Sequence, residues 1–99
     1  MKIFKIGGSL DSRGFKKYIQ EIEVTETEKQ FTGKNTRINK NKLMQIDTIC
    51  VENHKTLKYF TYCIDGDQQK ALDMIKKHII ERVKEYKSEI DILVNNINE

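Results

Sequence analysis

The segment that decides the fold runs from Asp65 to Ile97 and has the sequence DGDQQKALDMIKKHIIERVKEYKSEIDILVNNI. Apolar residues recur in it every three or four positions, and this spacing places them on one side of an α-helix. The resulting stripe consists of Leu72, Ile75, Ile79, Val83, Tyr86, Ile90, Leu93 and Ile97. We therefore predict one long amphipathic helix over residues 65–97, against which the preceding segments pack.

Both the start of this helix and its polar side are marked in the sequence. Asp65 is placed to accept hydrogen bonds from backbone N–H groups of the first turn, and Gln68 lies where a capping box has Glu or Gln. The side opposite the stripe carries charged residues at ion-pair spacing. These residues, which we expect to face solvent, are Lys70, Lys77, Glu81, Lys84 and Lys87.

The predicted helix is longer than the domain can cover. It would measure about 45 Å at ~1.5 Å per residue, whereas a compact domain of this size has a radius of gyration of about 13 Å. From Ile79 onward the apolar residues alternate in steps of four and three, the spacing of a coiled-coil seam. We expect a second copy of the chain or a foreign protein to cover the overhang. The alternative is fraying beyond Leu93, where asparagines weaken the helix.

The composition fits a single domain spanning residues 1–99. Its 37% hydrophobic residues suffice for one sheet face covered by one helix, and its 33% charged residues are of mixed sign. We predict an α+β fold in which residues 1–64 form an antiparallel sheet of about three to five strands, covered by the C-terminal helix. Because the chain has no apolar run near ~18 residues and no signal-peptide core, we expect a cytoplasmic protein without membrane contact.

The first predicted strand runs from Met1 to Ile6 and ends at a turn formed by Gly7 and Gly8. The stretch Lys5-Ile6-Gly7-Gly8-Ser9-Leu10 resembles the phosphate-binding opening of amino-acid kinases. That resemblance implies nucleotide contact through the lysine and the paired glycines. No companion Gly-rich or acidic motif follows, so we interpret the glycines as a turn.

A second, longer strand is predicted between Phe15 and Phe31, because β-branched residues alternate with polar ones there. Its inward side chains are expected to be Tyr18, Ile22 and Val24. Gly33-Lys34-Asn35 then forms a turn.

Two further strands are predicted before the helix, over residues 43–51 and 57–64. The first is apolar on both sides, with Met44, Ile46 and Cys50 opposed to Leu43, Ile49 and Val51. A strand of this kind is covered on both faces. In the second strand we expect Phe60, Tyr62 and Ile64 to face the helix, which leaves Tyr59 and Thr61 directed outward.

Positive charge is concentrated in residues 32–64, where six basic and two acidic residues give a net charge of +4. The candidate contact residues are Lys34, Arg37, Lys40 and Lys42. In a hairpin closed at residues 33–35, Glu28 and Glu26 fall opposite Lys40 and Lys42, within a residue or two of register, and opposite charges across paired strands attract. We favour this structural role over a nucleic-acid groove, because no aromatic residue that could stack on bases lies between the lysines.

Other groups of reactive residues lack the spacing of known sites. Cys50, His54, Cys63 and His78 have the identities of zinc ligands but not the knuckle spacing of a zinc finger. Asp65-Gly66-Asp67 does not continue as a calcium loop, and no catalytic triad is recognisable. We therefore expect no cofactor, no metal and no enzymatic activity.

The order of elements supplies a second resemblance. Short N-terminal strands, the turn sequence Arg37-Ile38-Asn39-Lys40-Asn41-Lys42-Leu43, a tyrosine-rich strand and a Lys/Glu-rich terminal helix resemble the small accessory proteins of bacteriophages and mobile elements. Some members of that class inhibit host defence, as anti-CRISPR proteins do. The resemblance implies a protein that acts in the cytoplasm of a bacterial host.

These observations lead to three functional hypotheses. The first is a non-enzymatic protein-binding module, an inhibitor that occludes a host defence factor through Lys34, Arg37, Lys40 and Lys42, with Tyr59 as an anchor. The second is a nucleic-acid-binding module that uses the basic turn of residues 34–42 against phosphates. The third is a structural protein that forms a homodimer through the helix end.

Overall fold

The computed structural model describes residues 1–49 and 55–98. Within these ranges the chain forms strands β1 (Lys2–Asp11), β2 (Gly14–Glu23), β3 (Thr25–Glu26), β4 (Gln30–Thr32), β5 (Arg37–Asn39), β6 (Asp47–Thr48) and β7 (Leu57–Ile64). A 3-10 turn spans Lys40–Lys42, and helix α1 spans Gln68–Asn98. The predicted α+β fold, with antiparallel strands followed by one long helix, is confirmed.

The strands form two antiparallel sheets. The main sheet has the order β2-β1-β7-β6, and the small sheet has the order β3-β4-β5. Helix α1 packs on one face of the main sheet, against β1 and β7. The small sheet covers one end of the opposite face, where Ile3, Val24, Phe31 and Ile38 form a buried cluster. The rest of that opposite face, called the outer face below, is where the candidate site lies.

The core between α1 and the main sheet contains alternate residues of β7. Leu57, Tyr59, Thr61 and Cys63 are buried, and they meet the helix residues Ala71, Leu72, Ile75 and Ile79. The prediction that Phe60, Tyr62 and Ile64 face the helix is wrong. Both sides of β7 are rich in apolar and aromatic residues, so the alternation within this strand does not determine which side faces the helix. The register with β1 does, because it pairs Thr61 with the buried Ile6.

The paired glycines lie inside β1 and do not form the predicted turn. The chain reverses at Ser12 and Arg13 instead, before Gly14 at a φ of +114°. A Cβ atom at Gly8 would approach Cγ2 of Ile75 to 2.7 Å, whereas one at Gly7 would overlap the ring of Tyr18 on the outer face. Glycine within a strand often marks such a close approach. The two glycines therefore let the helix and Tyr18 approach β1 from opposite sides.

The predicted strand over residues 43–51 is largely absent. The 3-10 turn precedes it, Met44 has a φ of +58°, and only Asp47 and Thr48 pair as a strand. Three of its side chains nevertheless divide as predicted, because Leu43 packs towards the small sheet while Met44 and Ile46 pack towards the helix. Ile49, in contrast, is 47% exposed. Cys50 and Val51, at the end of the predicted strand, lie outside the described residues. The predicted second strand also ends early, at Glu23, and the small sheet follows it.

Helix α1 is a single helix of 31 residues. Its start differs from the predicted backbone cap: the Asp65 carboxylate accepts a hydrogen bond from Nε2 of Gln68, and Oε1 of Gln68 accepts one from the Gly66 N–H. The predicted overhang is present in a molecule of 60 × 24 × 21 Å. Stripe residues are buried up to Ile79, whereas Ile90 is 48% exposed and Ile97 82% exposed. Residues 83–97 are called the helical arm below.

The stability of the fold should depend on the first half of the stripe only. Replacing the fully buried Ile75 by Ala should lower the free energy of unfolding by about 2–5 kcal/mol, because it removes buried methyl groups and leaves a cavity. The same substitution at Ile97 should change it by less than about 0.5 kcal/mol. Urea unfolding followed by circular dichroism measures both values. Equal losses would contradict the packing described here.

The close approach at Gly8 gives a second stability prediction. Gly8→Val should destabilise the fold by about 1–3 kcal/mol, since the added side chain displaces Ile75, although valine is favoured in strands. Ser9→Val is the matched control, because Ser9 follows Gly8 in β1 but its side chain is on the outer face, away from Ile75. If both variants unfolded at the same urea concentration, the close approach of α1 to β1 would not be what excludes a side chain at position 8.

Candidate functional site

The outer face of the main sheet carries basic and aromatic side chains in adjacent rows. Directly paired residues of neighbouring strands share a face, so the register defines these rows. Ser9 lies between Lys16 and Lys58, the next row has Gly7 between Tyr18 and Phe60, and the third has Lys5 between Gln20 and Tyr62. The aromatic rings therefore occupy the middle of the face.

The three rings of this face are close to one another and accessible. Phe60 and Tyr62 meet edge to face, with their centroids 5.6 Å apart. Nζ of Lys5 lies 4.4 Å from the centroid of Phe60. Tyr18 lies over Gly7 and is 36% exposed, and Phe60 and Tyr62 are half-buried. Partial burial raises the pKa of the Tyr18 phenol, and the nearby Tyr62 raises it further.

A groove of about 230 Å³ joins this aromatic surface to the basic segment predicted from the sequence. Phe60 and Tyr62 line it together with the cations Arg37 and Lys42 and the carboxylate Asp47. No aromatic residue lies between the lysines of the basic segment in the sequence. Phe60 and Tyr62 come from β7, which the fold places beside the 3-10 turn. The feature of the sequence that could have indicated this groove is the pair of aromatic residues at alternate positions of β7, Phe60 and Tyr62.

The predicted basic residues fall in different environments. Arg37 is exposed in both this groove and a second one that contains Lys34. Nζ of Lys42 lies 4.0 Å from the Asp47 carboxylate, a long ion pair. Nζ of Lys40 lies only 3.0 Å from Oε2 of Glu26. Cross-strand ion pairs were expected within a residue or two of register: Lys40 has such a partner, two residues from the expected one, whereas Lys42 pairs with Asp47 instead. The structure thus brings Arg37 and Lys42 together and ties Lys40 to the small sheet.

Tyr59 does not belong to the outer face. It is 5% exposed and packs with Ile75 and Ile79. Its ring meets His78 edge to face at 4.5 Å. The expected outward orientation of Tyr59 is therefore wrong, for the reason of register given above. Phe60 and Tyr62 are the aromatic residues of β7 that a ligand on the outer face would meet.

The charge of the outer face is mainly positive. Lys5, Lys16 and Lys58 belong to its rows, and Arg37 and Lys42 line the groove beside it. Asp47, which pairs with Phe60, is the acidic residue that the register places among the rows described here. The acidic residues of β2, Glu21 and Glu23, point to the helix side, where Glu21 binds Lys2 at 2.6 Å. An anionic ligand on the outer face would thus meet little repulsion.

The described residues offer no evident reaction centre. No group of three metal-ligating side chains occurs in residues 1–49 and 55–98, and Cys50 and His54 of the considered zinc set lie outside these ranges. Cys63 is buried, and burial raises the pKa of its thiol, as do Asp67 and Asp65 to a smaller extent. A buried thiol with a raised pKa is a poor nucleophile. These features describe a core cysteine.

A larger groove, of about 950 Å³, lies between the turn after β1 and the middle of α1. Its apolar surface comes from β1, from β7 and from the start of the helical arm. The residues that form this surface are Leu10, Leu57, Val83, Tyr86 and Ile90. The groove continues the exposed stripe of the arm towards the sheet.

Comparisons with known proteins found no match for this chain among family models, curated proteins or solved structures. In the described part of the chain, no helix combines the length and the apolar character needed to cross a membrane.

Proposed function

We propose that this protein is a non-enzymatic nucleic-acid-binding module whose basic segment around Arg37 and Lys42 contacts the phosphate backbone. The observation that supports the proposal most directly is the groove in which these two cations lie beside Phe60 and Tyr62. Cations attract phosphates, and neighbouring rings offer contacts to sugars and bases. The basic turn suggested this function in the sequence, and the position of β7 supplies the aromatic component that was missing there.

The cations of the basic segment differ in their availability for phosphates. Arg37 has no carboxylate within ion-pair distance among the residues described, and its planar guanidinium suits a phosphate. Within residues 1–49 and 55–98, the carboxylate that pairs with Lys42 is the distant one of Asp47, at 4.0 Å. Lys40 is already neutralised by Glu26 and also lies 5.5 Å from the Phe31 ring centroid. Phosphate contact should therefore depend on Arg37 and Lys42 more than on Lys40.

This difference can be measured by the salt dependence of binding. Each phosphate contact in single-stranded nucleic acid contributes about 0.7 to the slope of log affinity against log salt. Joint replacement of Arg37 and Lys42 by Gln should reduce that slope by about 1.4 and weaken binding at low salt. Fluorescence anisotropy with a labelled 12-nucleotide strand measures both quantities.

Lys40→Gln is the matched control for that experiment, because it removes a lysine of the same segment whose charge is already paired. It should change the slope by less than half as much as the double replacement. The proposal would be contradicted if the unaltered protein bound no strand at low salt, or if the control lost as much affinity as the double variant.

A protein partner is a second candidate, and the helical arm is the observation that favours it. Leu93 is 62% exposed and Ile97 82% exposed, on a stripe whose spacing suits pairing with another helix. Soluble proteins rarely leave such a contiguous apolar surface uncovered. The occluding inhibitor and the homodimer suggested by the sequence both belong to this class of function.

Self-association through the arm can be tested with two neighbouring residues. The unaltered protein should exceed its monomer mass of 11.7 kDa in sedimentation equilibrium at high micromolar concentration. Leu93→Glu should restore the monomer, because it places a charge on the stripe. Ile92→Glu, at a similarly exposed position that lies off the stripe, about 100° around the helix from Leu93, should not. A monomer at every concentration would leave only a foreign partner for the arm.

A further inference from the structure

We infer that the outer face of the main sheet is a stacking surface for unpaired bases, so that the ligand is a single strand and not a duplex. This inference rests on the proposed function and specifies the kind of nucleic acid that it binds. The residues that would contact bases are Tyr18, Phe60 and Tyr62. None of these residues is in the basic turn from which the function was first suggested.

The first reason is the placement of the rings. Tyr18 and Phe60 flank Gly7 in one row, on strands that are two steps apart, and adjacent strands lie about 4.8 Å apart. Phe60 and Tyr62 are neighbours on the same face of β7, about 6.8 Å apart along the strand. The missing side chain of Gly7 leaves the middle of the row low, and the Tyr18 ring occupies that space. The Tyr18 ring thus extends over β1 towards the contacting rings of Phe60 and Tyr62, and the three together form an aromatic patch.

The second reason is the position of the charges around this patch. Lys16 and Lys58 lie in the row on one side of Tyr18 and Phe60, and Lys5 lies in the row on the other side. Arg37 and Lys42 extend the positive charge along the groove. A strand whose bases lie on the rings would therefore have cations near its phosphates on either side. This combination of rings with surrounding cations is how proteins bind single strands without sequence preference.

The third reason is that a duplex would gain little from the rings. Its bases are already stacked on one another, and its surface towards a sheet consists of sugars and phosphates. Bases in single strands are free to be splayed onto aromatic side chains. A duplex would therefore contact the cations alone. The prediction is a preference for single strands that disappears when the rings are removed.

The experiment compares three fluorescein-labelled probes by anisotropy: a 12-nucleotide thymidine strand, a 12-base-pair duplex and a 12-nucleotide abasic strand. The abasic strand has the phosphates but lacks bases. We expect the thymidine strand to bind at least about fivefold more tightly than the abasic strand, which is the lower limit for stacking one base on one ring. We also expect it to quench tyrosine fluorescence, which is undisturbed because the chain has no tryptophan.

Substitutions then assign the preference to the rings. Tyr18→Leu and Phe60→Leu should each weaken binding of the thymidine strand by about fivefold or more and leave binding of the abasic strand unchanged. Gly7→Ala keeps every ring but forces Tyr18 from its place, so it should act in the same direction. Phe15→Leu is the matched control, because Phe15 is an exposed aromatic residue of β2 on the helix side. Thermal unfolding confirms that each variant is folded.

The outcomes separate this inference from the function on which it rests. Equal, salt-sensitive binding of all three probes, unaffected by Tyr18→Leu and Phe60→Leu, would overturn the stacking surface and leave a phosphate-binding protein. Loss of binding with Phe15→Leu as large as with Phe60→Leu would also overturn it. The absence of salt-sensitive binding to any probe would overturn the proposed function itself and leave a protein partner as the remaining candidate.

Discussion

The fold depends on the contact between the first turns of α1 and the middle of the main sheet. Ile75 and Ile79 pack on alternate residues of β7, and the approach of Ile75 to β1 requires that position 8 have no side chain. This contact fixes which face of every strand in the main sheet is buried, because the side-chain period of a strand is two. Everything on the outer face, including Tyr18 and Phe60, is located there as a result.

One helix covers only one face of a sheet, and the small sheet covers only an end of the other. The remaining outer face carries exposed and half-buried side chains, of which Tyr62 also packs against the cluster under the small sheet. Its lysines interact with rings or extend into solvent, whereas the Lys2–Glu21 pair belongs to the helix side. The outer face carries more lysines than carboxylates, with Asp47 as the acidic residue among the rows described, and for this reason it is the better candidate for binding an anionic polymer.

The sequence predicted the elements better than it predicted their sides. The stripe of α1, the bounds of β7 and the turn at Gly33 follow from local patterns, and the structure contains all three. The side of β7 depends on its register with β1, a contact between distant parts of the chain that no local pattern encodes. The candidate site could be predicted only in part for the same reason. The sequence indicates Arg37 and Lys42, but their neighbours Phe60 and Tyr62 come from a strand that is distant in the chain. The glycines were misinterpreted because a turn and a close approach both favour glycine.

The adjacent glycines of β1 make the molecule unusually thin at one place. Gly7 and Gly8 face opposite sides of the sheet, so a single layer of backbone separates the ring of Tyr18 from the Ile75 side chain. The other residues of β1 carry side chains, which add to the distance between the outer surface and the helix. A larger residue at these two positions therefore has different effects. At Gly7 it would displace a surface ring and leave the interior unchanged, whereas at Gly8 it would disturb the interior and leave the outer face unchanged.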